Sequence, residues 1–406
     1  MKFSIRVLSM AAIVLLYGCF SLLDGRTPGE KRSFDWSSST YNYPIKNNYP
    51  DEISFCIVDL KYDGQFIKIC EFGEGLTSQF KGYDRLYGQG ALWATVWDFF
   101  GSFQRPVWLV GKRFFHNDKR VLAKGHLSAI GGKTSDSIYF LKQDDVFKKL
   151  VKKAKKEPGI VNKACILIGD CGSEFKKTYP SCIVVGQATN GIVANKYRTN
   201  NLFDNDPDIS MFKPLFKAYP KQYTLELASQ IVKDLGCSMF VIKPVDASLG
   251  RGIIMVTRDE LNATLKLIFK DFKRFNKYQL DDYSYGYWTR DHNKNFIVEE
   301  FATSKTIYVN DKPYDPTMRV VFVISNNGGC ISTTFLASYW KLPDKNLDQE
   351  GTFTDKHKSH VTYKSLVGSA EVEKKDFDHV KELLSLVLPK VYLKMLANCF
   401  DKQIRS

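Results

Sequence analysis

The segment 224–260 constrains the fold more than any other part of the chain. Thr224 can cap a helix that Gly236 ends, and the apolar residues between them recur at helical spacing. Those apolar residues are Leu227, Ala228, Ile231 and Leu235. The spacing predicts an amphipathic helix packed on a core.

Two short apolar runs, 238–243 and 253–256, follow this helix, and we expect both to be strands. Thr257 and Glu260 then form a capping box, which predicts another helix. The glycine-containing loop 244–252 therefore joins strand to strand. A Walker loop or a Rossmann turn runs from a strand into a helix, so this order excludes both.

The loop carries groups suited to phosphate. Gly250 and Gly252 flank Arg251, so main-chain amides can approach an anion there, and Lys243 ends the preceding strand. A plain β-hairpin with a glycine-rich turn is the alternative explanation.

Two acidic groups follow on later strands. The run 296–301 ends in Glu299 and Glu300, and Asp315 precedes Arg319, which leads into the strand 320–324. The glutamates could simply end a strand at the surface. Burial of an arginine without an anion is costly, so Arg319 indicates a site or a salt bridge with Asp315.

Earlier in the chain, β-rich runs alternate with helical segments, as in an α/β domain. These runs are 53–60, 66–72, 107–110, 164–168 and 182–185. The fold class predicted for the whole chain is α/β (α+β).

Together, these elements resemble the ATP-grasp superfamily, which includes D-alanine ligase, glutathione synthetase and tubulin-tyrosine ligase-like enzymes. The resemblance covers about residues 196–345. It implies an N-terminal α/β domain of the pre-ATP-grasp type, then an ATP-grasp domain with antiparallel sheets and flanking helices.

The resemblance also implies roles for individual residues. Lys243 would bind phosphates, and Lys196, which resembles the lysine at the start of the family's nucleotide domain, would also bind the cofactor. The loop of Ser248, Gly250, Arg251 and Gly252 would cover the triphosphate. The adenine would be held by the hinge residues Glu299, Glu300, Phe301 and Ala302. Asp315 would contact the metal, and Arg319 and Lys341 would act on the substrate.

The implied function is an ATP-dependent carboxylate-amine ligase that works through an acylphosphate, with ATP and Mg²⁺ as cofactors. Its partners would be a small-molecule or peptide carboxylate and an amine acceptor. The family ordinarily closes with a strand carrying Glu-x-Asn, which holds the metal, and no such motif follows Lys341. The alternative is therefore a catalytically reduced binding protein of this fold, such as an exported effector that engages an acidic partner.

The N-terminus predicts a leader. Lys2 and Arg6 precede an apolar run, 7–17, as in a signal peptide, and Cys19 ends a lipobox-like sequence. We expect an exported protein or one attached to a membrane through its N-terminus, with a cytoplasmic protein as the alternative. Exported proteins rarely meet ATP, so this expectation conflicts with the ligase.

The predicted domain organisation has four parts. A signal peptide or membrane or lipid anchor spans 1–20, a flexible linker spans 21–50, the N-terminal α/β domain spans 51–195, and the ATP-grasp-like domain spans 196–406.

The net charge of the chain limits the kinds of partner that we expect. The formal net charge of +14 favours acidic ones, such as nucleotide phosphates. Aromatic residues cluster around Tyr283–Trp288, where bases could stack, but the lysines are dispersed rather than striped. We therefore do not expect nucleic acid as a partner.

Overall fold

The computed structural model describes twelve stretches of the chain. These are residues 40–43, 45–74, 81–88, 90–101, 107–110, 138–141, 166–169, 183–204, 206–247, 250–274, 284–359 and 368–404. All of them belong to one compact unit, Trp36–Ser406.

The larger of the sheets contains ten strands among the described residues, in the order β1-β15-β14-β2-β7-β6-β4-β5, with β3 beside β2 and β16 beside β15. These strands are β1 (Thr40–Tyr43), β2 (Glu52–Tyr62), β3 (Ile67–Glu74), β4 (Val107–Val110), β5 (Ile138–Leu141), β6 (Ile166–Gly169), β7 (Ile183–Val185), β14 (Thr317–Asn327), β15 (Cys330–Lys341) and β16 (Ser369–Ala370). Strands β2, β7, β6, β4 and β5 are paired in parallel, and the others are antiparallel.

The small sheet is antiparallel, with the order β10-β9-β11-β8. Its strands are β8 (Phe216–Pro220), β9 (Met239–Pro244), β10 (Ile254–Thr257) and β11 (Asn295–Glu300). A separate hairpin follows it, formed by β12 (Ile307–Val309) and β13 (Lys312–Tyr314).

Helices cover and connect the sheets. They are α1 (Lys81–Tyr87), α2 (Ala91–Gly101), α3 (Lys196–Asn201), α4 (Pro207–Ser210), α5 (Leu227–Leu235), α6 (Arg258–Phe269), α7 (Phe353–His357) and α8 (Lys374–Ile404). Two short 3₁₀ turns lie at Phe272–Arg274 and Gly286–Thr289. The combination of helices with parallel and antiparallel strands confirms the predicted α/β (α+β) fold class.

The segment 224–260 has the predicted order of elements, in which helix α5 is followed by strands β9 and β10 and by helix α6. Gly236 ends α5 with a left-handed φ of 64°, and Thr257 and Glu260 form the capping box of α6. The prediction that Thr224 caps α5 was wrong. The cap position is Glu226, because a backbone turn from Thr224 to Leu227 precedes the helix.

The main core lies between the antiparallel half of the large sheet and α8. The inner face of α8 contributes fully buried residues, among them Val380, Leu384, Val387 and Val391. Length and composition alone would allow Lys374–Asp401 to cross a membrane, a property that core helices share. Half of its most apolar stretch is buried in the protein.

The large sheet combines strands from both sides of the predicted boundary at residue 195. Strand β14 pairs with β2 from Met318 opposite Leu60 to Asn326 opposite Glu52. Strand β1 lies within the range predicted as a linker and pairs with β15. The four domain ranges remain a prediction.

Candidate nucleotide site

A row of polar side chains crosses the antiparallel half of the large sheet. Glu71 on β3 is opposite Asp59 on β2, Asp59 is opposite Arg319 on β14, and Arg319 is opposite Tyr339 on β15. Directly opposed residues lie on the same face of a sheet. The register therefore places these four side chains side by side.

Asp59 is the anionic centre of this row. Its carboxylate accepts two hydrogen bonds from Arg319, at 2.7 Å from Nε and 2.8 Å from Nη2, and one from Lys341 at 2.7 Å. All three side chains are buried. Burial would raise the pKa of Asp59, but the charges of Arg319 and Lys341 hold it below its ordinary value. Burial and the nearby guanidinium lower the pKa of Lys341.

Glu299 forms a second charged centre, on the small sheet. Its Oε2 lies 2.5 Å from the Lys243 ammonium, and its Oε1 lies 3.1 Å from Lys213 and 2.8 Å from the Asn200 amide. Burial would raise the pKa of Glu299, but Lys213 and Lys243 hold it at about 2. A carboxylate that is ionised under all ordinary conditions thus holds both lysines in place.

Strand β3 of the large sheet connects the two charged centres. The ammonium of Lys243 donates to the main-chain carbonyl of Cys70 at 3.2 Å, and Lys213 donates to that of Ile69 at 3.0 Å. Glu71, the next residue, lies close enough to Lys243, Arg319 and Lys341 to favour their charged forms. Glu71 therefore stands where the two sheets meet.

Lys196, at the start of α3, also reaches this junction. Its ammonium lies 3.6 Å from Glu71 and donates to the main-chain carbonyl of Ala247. The preceding residue, Asn195, caps α3 by accepting from the Arg198 amide. The cap and the contact with Ala247 bring Lys196 beside the loop that follows β9.

Asp315 forms a third charged centre. Its Oδ2 lies 2.9 Å from Lys61 and 2.7 Å from His357 Nδ1, and its Oδ1 accepts from the Ser304 amide at 2.7 Å. Burial would raise the pKa of Asp315, but Lys61 and the hydrogen bonds lower it. The alternative of a plain salt bridge between Asp315 and Arg319 does not hold, since Arg319 pairs with Asp59.

The charges joined by these contacts do not balance. The cations are Lys61, Lys196, Lys213, Lys243, Arg319 and Lys341, and the carboxylates are Asp59, Glu71, Glu299 and Asp315. Among these described residues, six cations against four carboxylates leave two positive charges in excess. Buried charges are costly without a counter-charge, so the arrangement suits an anionic ligand.

The two glycines of the loop lie in its described part and have left-handed backbone conformations. Gly250 and Gly252 have left-handed φ values of 70° and 71°, and a Cβ on Gly252 would overlap Pro244 and Tyr287. The Trp288 indole donates to the carbonyl of Gly252 at 3.0 Å, and Arg251 lies over the ring of Tyr287. Ser248 is outside the described residues.

The hinge residues are only partly available for an adenine. The main-chain amides of Glu300 and Phe301 donate to Leu215 and Met239, at 2.7 and 3.1 Å. The side chain of Glu299 points instead to the lysines. A base would therefore have to bind other main-chain groups of the hinge, such as those of Ala302.

Several residues of this site were missing from the prediction, namely Asp59, Lys61, Glu71, Asn200 and Lys213. The sequence held a signal for the first three. Asp63 and Gly64 form a turn between two apolar strand-like runs, and charged residues inside such runs need partners. The partners of Asp59 lie on β14 and β15, and the partner of Lys61 lies just before β14, all more than 250 residues further along the chain.

The fit of a metal ion depends on which carboxylate oxygens remain accessible. The stretches that the structure describes contain no group of three or more His, Cys, Asp or Glu side chains that could hold a metal ion. Asp59, Glu299 and Asp315 already accept from cationic side chains with their oxygens. Glu71 is different, because its side chain is 32% exposed and its ion-pair partner Lys196 is 3.6 Å away.

The chain was also compared with known proteins. No protein-family model and no curated protein matches it. A candidate gamma-glutamylcysteine synthetase from Methylobacillus flagellatus is 11% identical, with a TM-score of 0.40, over 88% of this chain and 91% of that protein. A glutathione synthetase-like effector from Globodera pallida is 12% identical, with a TM-score of 0.37, over 72% of this chain and 75% of that protein.

A D-alanine-D-alanine ligase from Bacillus anthracis is 13% identical, with a TM-score of 0.30, over 73% of this chain and 99% of that protein. The solved structures that this chain is similar to therefore include the glutathione synthetase and D-alanine ligase types that its motifs resemble. At TM-scores below 0.5, the similarity assigns no activity to this chain.

Proposed function

We propose that the protein binds magnesium-ATP where its two sheets meet, and that it is an ATP-dependent carboxylate-amine ligase. The observation that carries the proposal is the excess of two positive charges that the described cations and carboxylates of the site leave. A magnesium-triphosphate complex carries about two negative charges, so it would balance them. The contact of Lys196 with the carbonyl of Ala247, in the loop that follows β9, supports a role of this loop beside the phosphates.

The position of each residue in the site indicates the role that we propose for it. Lys196 and Lys243 would hold the phosphates, with Glu299, which also pairs with Lys213, keeping Lys243 in place. Arg319 and Lys341, fixed by Asp59, would neutralise the carboxylate substrate. Fixed charges of this kind stabilise the charge that develops in the transition state, and the site does not have to reorganise as the reaction proceeds.

The reaction would proceed in two displacements. A substrate carboxylate oxygen attacks the γ-phosphorus of ATP, the bond to the β-phosphate oxygen breaks, and ADP leaves. The amine then attacks the acyl carbon, inorganic phosphate leaves, and the amine loses a proton. Positioning and charge neutralisation carry both steps, so no protein nucleophile is needed.

Glu71 is the residue that fits a magnesium ion best, because its carboxylate is partly exposed beside the phosphate-binding lysines. The ion would neutralise phosphate charge as the phosphoryl group is transferred. The earlier metal candidate, Asp315, would have to exchange Lys61 or His357 for the ion.

Calorimetric titration with ATP, in the presence and absence of magnesium, tests the proposal. We expect magnesium-dependent binding to the wild type and at least about a tenfold loss of affinity, about 1.4 kcal/mol, in Lys243→Met. Lys217→Met is the matched control. Lys217 lies on β8 of the same sheet, is 52% exposed and pairs with Asp234 outside the site, so its loss should leave the affinity unchanged.

Folded wild-type protein that binds no ATP would contradict the proposal, and so would equal affinities in the two lysine variants. Thermal unfolding of both variants separates lost binding from lost folding.

A binding protein of this fold without catalysis is the second candidate. The observation that favours it is that no three-ligand metal group occurs among the described residues. Magnesium-ATP binding without ADP formation, across a panel of amino acids and short peptides, would support it. Release of ADP that depends on both a carboxylate and an amine would support the ligase.

We propose in addition that residues 1–20 direct export or membrane attachment, a prediction that lies outside the described residues. The support is the basic and apolar pattern before Cys19. Cell fractionation of the wild type and Cys19→Ser tests it. If Cys19 carries a lipid, the wild type should be found in the membrane fraction and Cys19→Ser should not. A wild type found in the cytoplasm would contradict the proposed export or membrane attachment.

A further inference from the structure

Residues 343–359 form a closed loop, which we call the strap. An isolated β-bridge between Pro343 and Ser359 joins its ends. Inside it, Thr352 and Asp355 form the capping box of α7, and Lys356 donates to the carbonyl of Leu347 at 2.9 Å. Compact surface loops of this kind, with closed ends and internal contacts, frequently serve a function.

The strap is hydrogen-bonded to the edge of the small sheet. Strand β10 is the edge strand, and Thr354 bonds to it twice. The Thr354 hydroxyl accepts from the Met255 amide at 3.0 Å and donates to the Met255 carbonyl at 3.2 Å. One side chain thus satisfies both main-chain groups of an edge residue.

The strap also packs on the glycine loop. The buried Lys358 donates to the Ser284 hydroxyl at 2.7 Å, and its Cε lies 3.3 Å from the place where a Cβ on Gly250 would stand. The lysine stem therefore covers Gly250 of the loop.

The opposite side of the strap is attached beyond the small sheet. His357 Nδ1 lies 2.7 Å from Asp315, just before β14, and the Leu347 amide donates to the carbonyl of Pro313 at 2.8 Å. The ring of His357 also packs against Phe301 of the hinge, at 5.0 Å between ring centroids. The strap therefore joins β10 and the glycine loop to the hinge and to the start of β14.

We propose that the strap sets the position of the glycine loop over the nucleotide site, with Thr354 and His357 as positioning residues. Thr354 fixes β10, the strand that directly follows the glycine loop. His357 fixes the strap to Asp315, just before β14 of the large sheet. The loop is then held in place before the nucleotide arrives. The effect on nucleotide affinity rests on the proposed function, whereas the effect on the loop does not.

Hydrogen exchange of residues 250–257 in the full chain without nucleotide tests the positioning. In Thr354→Val, we expect at least about tenfold faster exchange, because the valine keeps the shape but loses both bonds to Met255. His357→Phe should act in the same direction, although His357 has no bond to β10, because it detaches the strap from Asp315. A purely local role for His357 would leave exchange at 250–257 unchanged.

The controls use equivalent changes. Thr354→Ser keeps the hydroxyl and should restore wild-type exchange. Thr40→Val removes a side-chain bond to Thr334 at the far edge of the large sheet and should leave residues 250–257 unaffected. Unchanged exchange in both Thr354→Val and His357→Phe would overturn the proposal. If Thr354→Val does not fold, the comparison of His357→Phe with the wild type and Thr354→Ser decides.

ATP titration of the same proteins gives the second readout. We expect several-fold weaker binding in Thr354→Val and His357→Phe than in Thr354→Ser. Absence of ATP binding by the wild type would count against the proposed function alone, since exchange in the nucleotide-free protein still decides the role of the strap. Faster exchange at 250–257 with unchanged ATP affinity would overturn the link between the strap and the nucleotide site.

Discussion

Single residues in this site are held by charge pairs that few other side chains could replace. Asp59 satisfies two cations at once, and Glu299 satisfies two lysines and an amide. Removal of one member of a buried pair leaves its partner uncompensated, at a cost of about 3–5 kcal/mol. Each of these carboxylates therefore has a structural role as well as its proposed role in binding.

The pKa of Glu299 predicts a pH dependence of stability. The folded value of about 2 is below the ordinary value of 4.5, so the unfolded chain takes up the proton first as the pH falls. Glu299 should therefore contribute on the order of 3 kcal/mol above about pH 4.5, and this contribution should disappear between that pH and about pH 2.

Urea unfolding at a series of pH values measures this contribution. Glu299→Gln should be less stable at pH 6 and should lose less stability than the wild type as the pH falls. Glu226→Gln, which changes an exposed glutamate, should follow the wild-type curve. Parallel curves for Glu299→Gln and the wild type would show that Glu299 does not contribute in this way.

Among the elements, the β2–β3 hairpin contributes most to the site. It carries Asp59, Lys61 and Glu71, and its main-chain carbonyls at residues 69 and 70 accept from the lysines associated with the small sheet. Pairing of β2 with β14 brings Asp59 opposite Arg319. The elements that carry the glycine loop and the hinge therefore meet their counter-charges on an earlier hairpin.

Helix α8 offers a matched test of how an element is packed. Leu384 is fully buried against the large sheet, whereas Leu386 is 60% exposed. Leu384→Ala should lower the free energy of unfolding by about 2–5 kcal/mol, and Leu386→Ala should change it by less than about 0.5 kcal/mol. Denaturant unfolding checks both. Equal effects would mean that α8 is not packed as described.

At the scale of the whole molecule, the large sheet and its core depend on both halves of the chain. The main core includes Val58, Leu60 and Phe72 from the first half and Val320, Phe335 and Leu384 from the second. An isolated second half would expose the apolar surface that β2 and β3 cover.

Expression of residues 196–406 alone tests this dependence. We expect no cooperative thermal transition, because β14 would lose its pairing with β2 and the core would lose one side. The full chain should unfold cooperatively under the same conditions. A sharp transition of the fragment near the midpoint of the full chain would show that the predicted domain 196–406 folds independently.

The sequence by itself determined the local elements. The helix ended by Gly236, the capping box of Thr257 and Glu260, and the strand-to-strand glycine loop all formed as their patterns predict. Turn, cap and strand signals act over a few residues, so they can be read without knowledge of the partners. The predicted roles of Lys243, Arg319 and Lys341 came from the motifs, and the structure places these three cations around Glu71.

Only the tertiary structure decided which charges meet. The partner of Arg319 is Asp59 rather than the nearby Asp315, and Asp315 instead binds Lys61 and His357. These pairs depend on strand order and register, which are set when distant strands bury a common core. Electrostatic pairing follows distance in space, and distance along the chain carries little information about it. The excess of positive charge that suits an anion appears only when the hairpin, the small sheet and β14 come together.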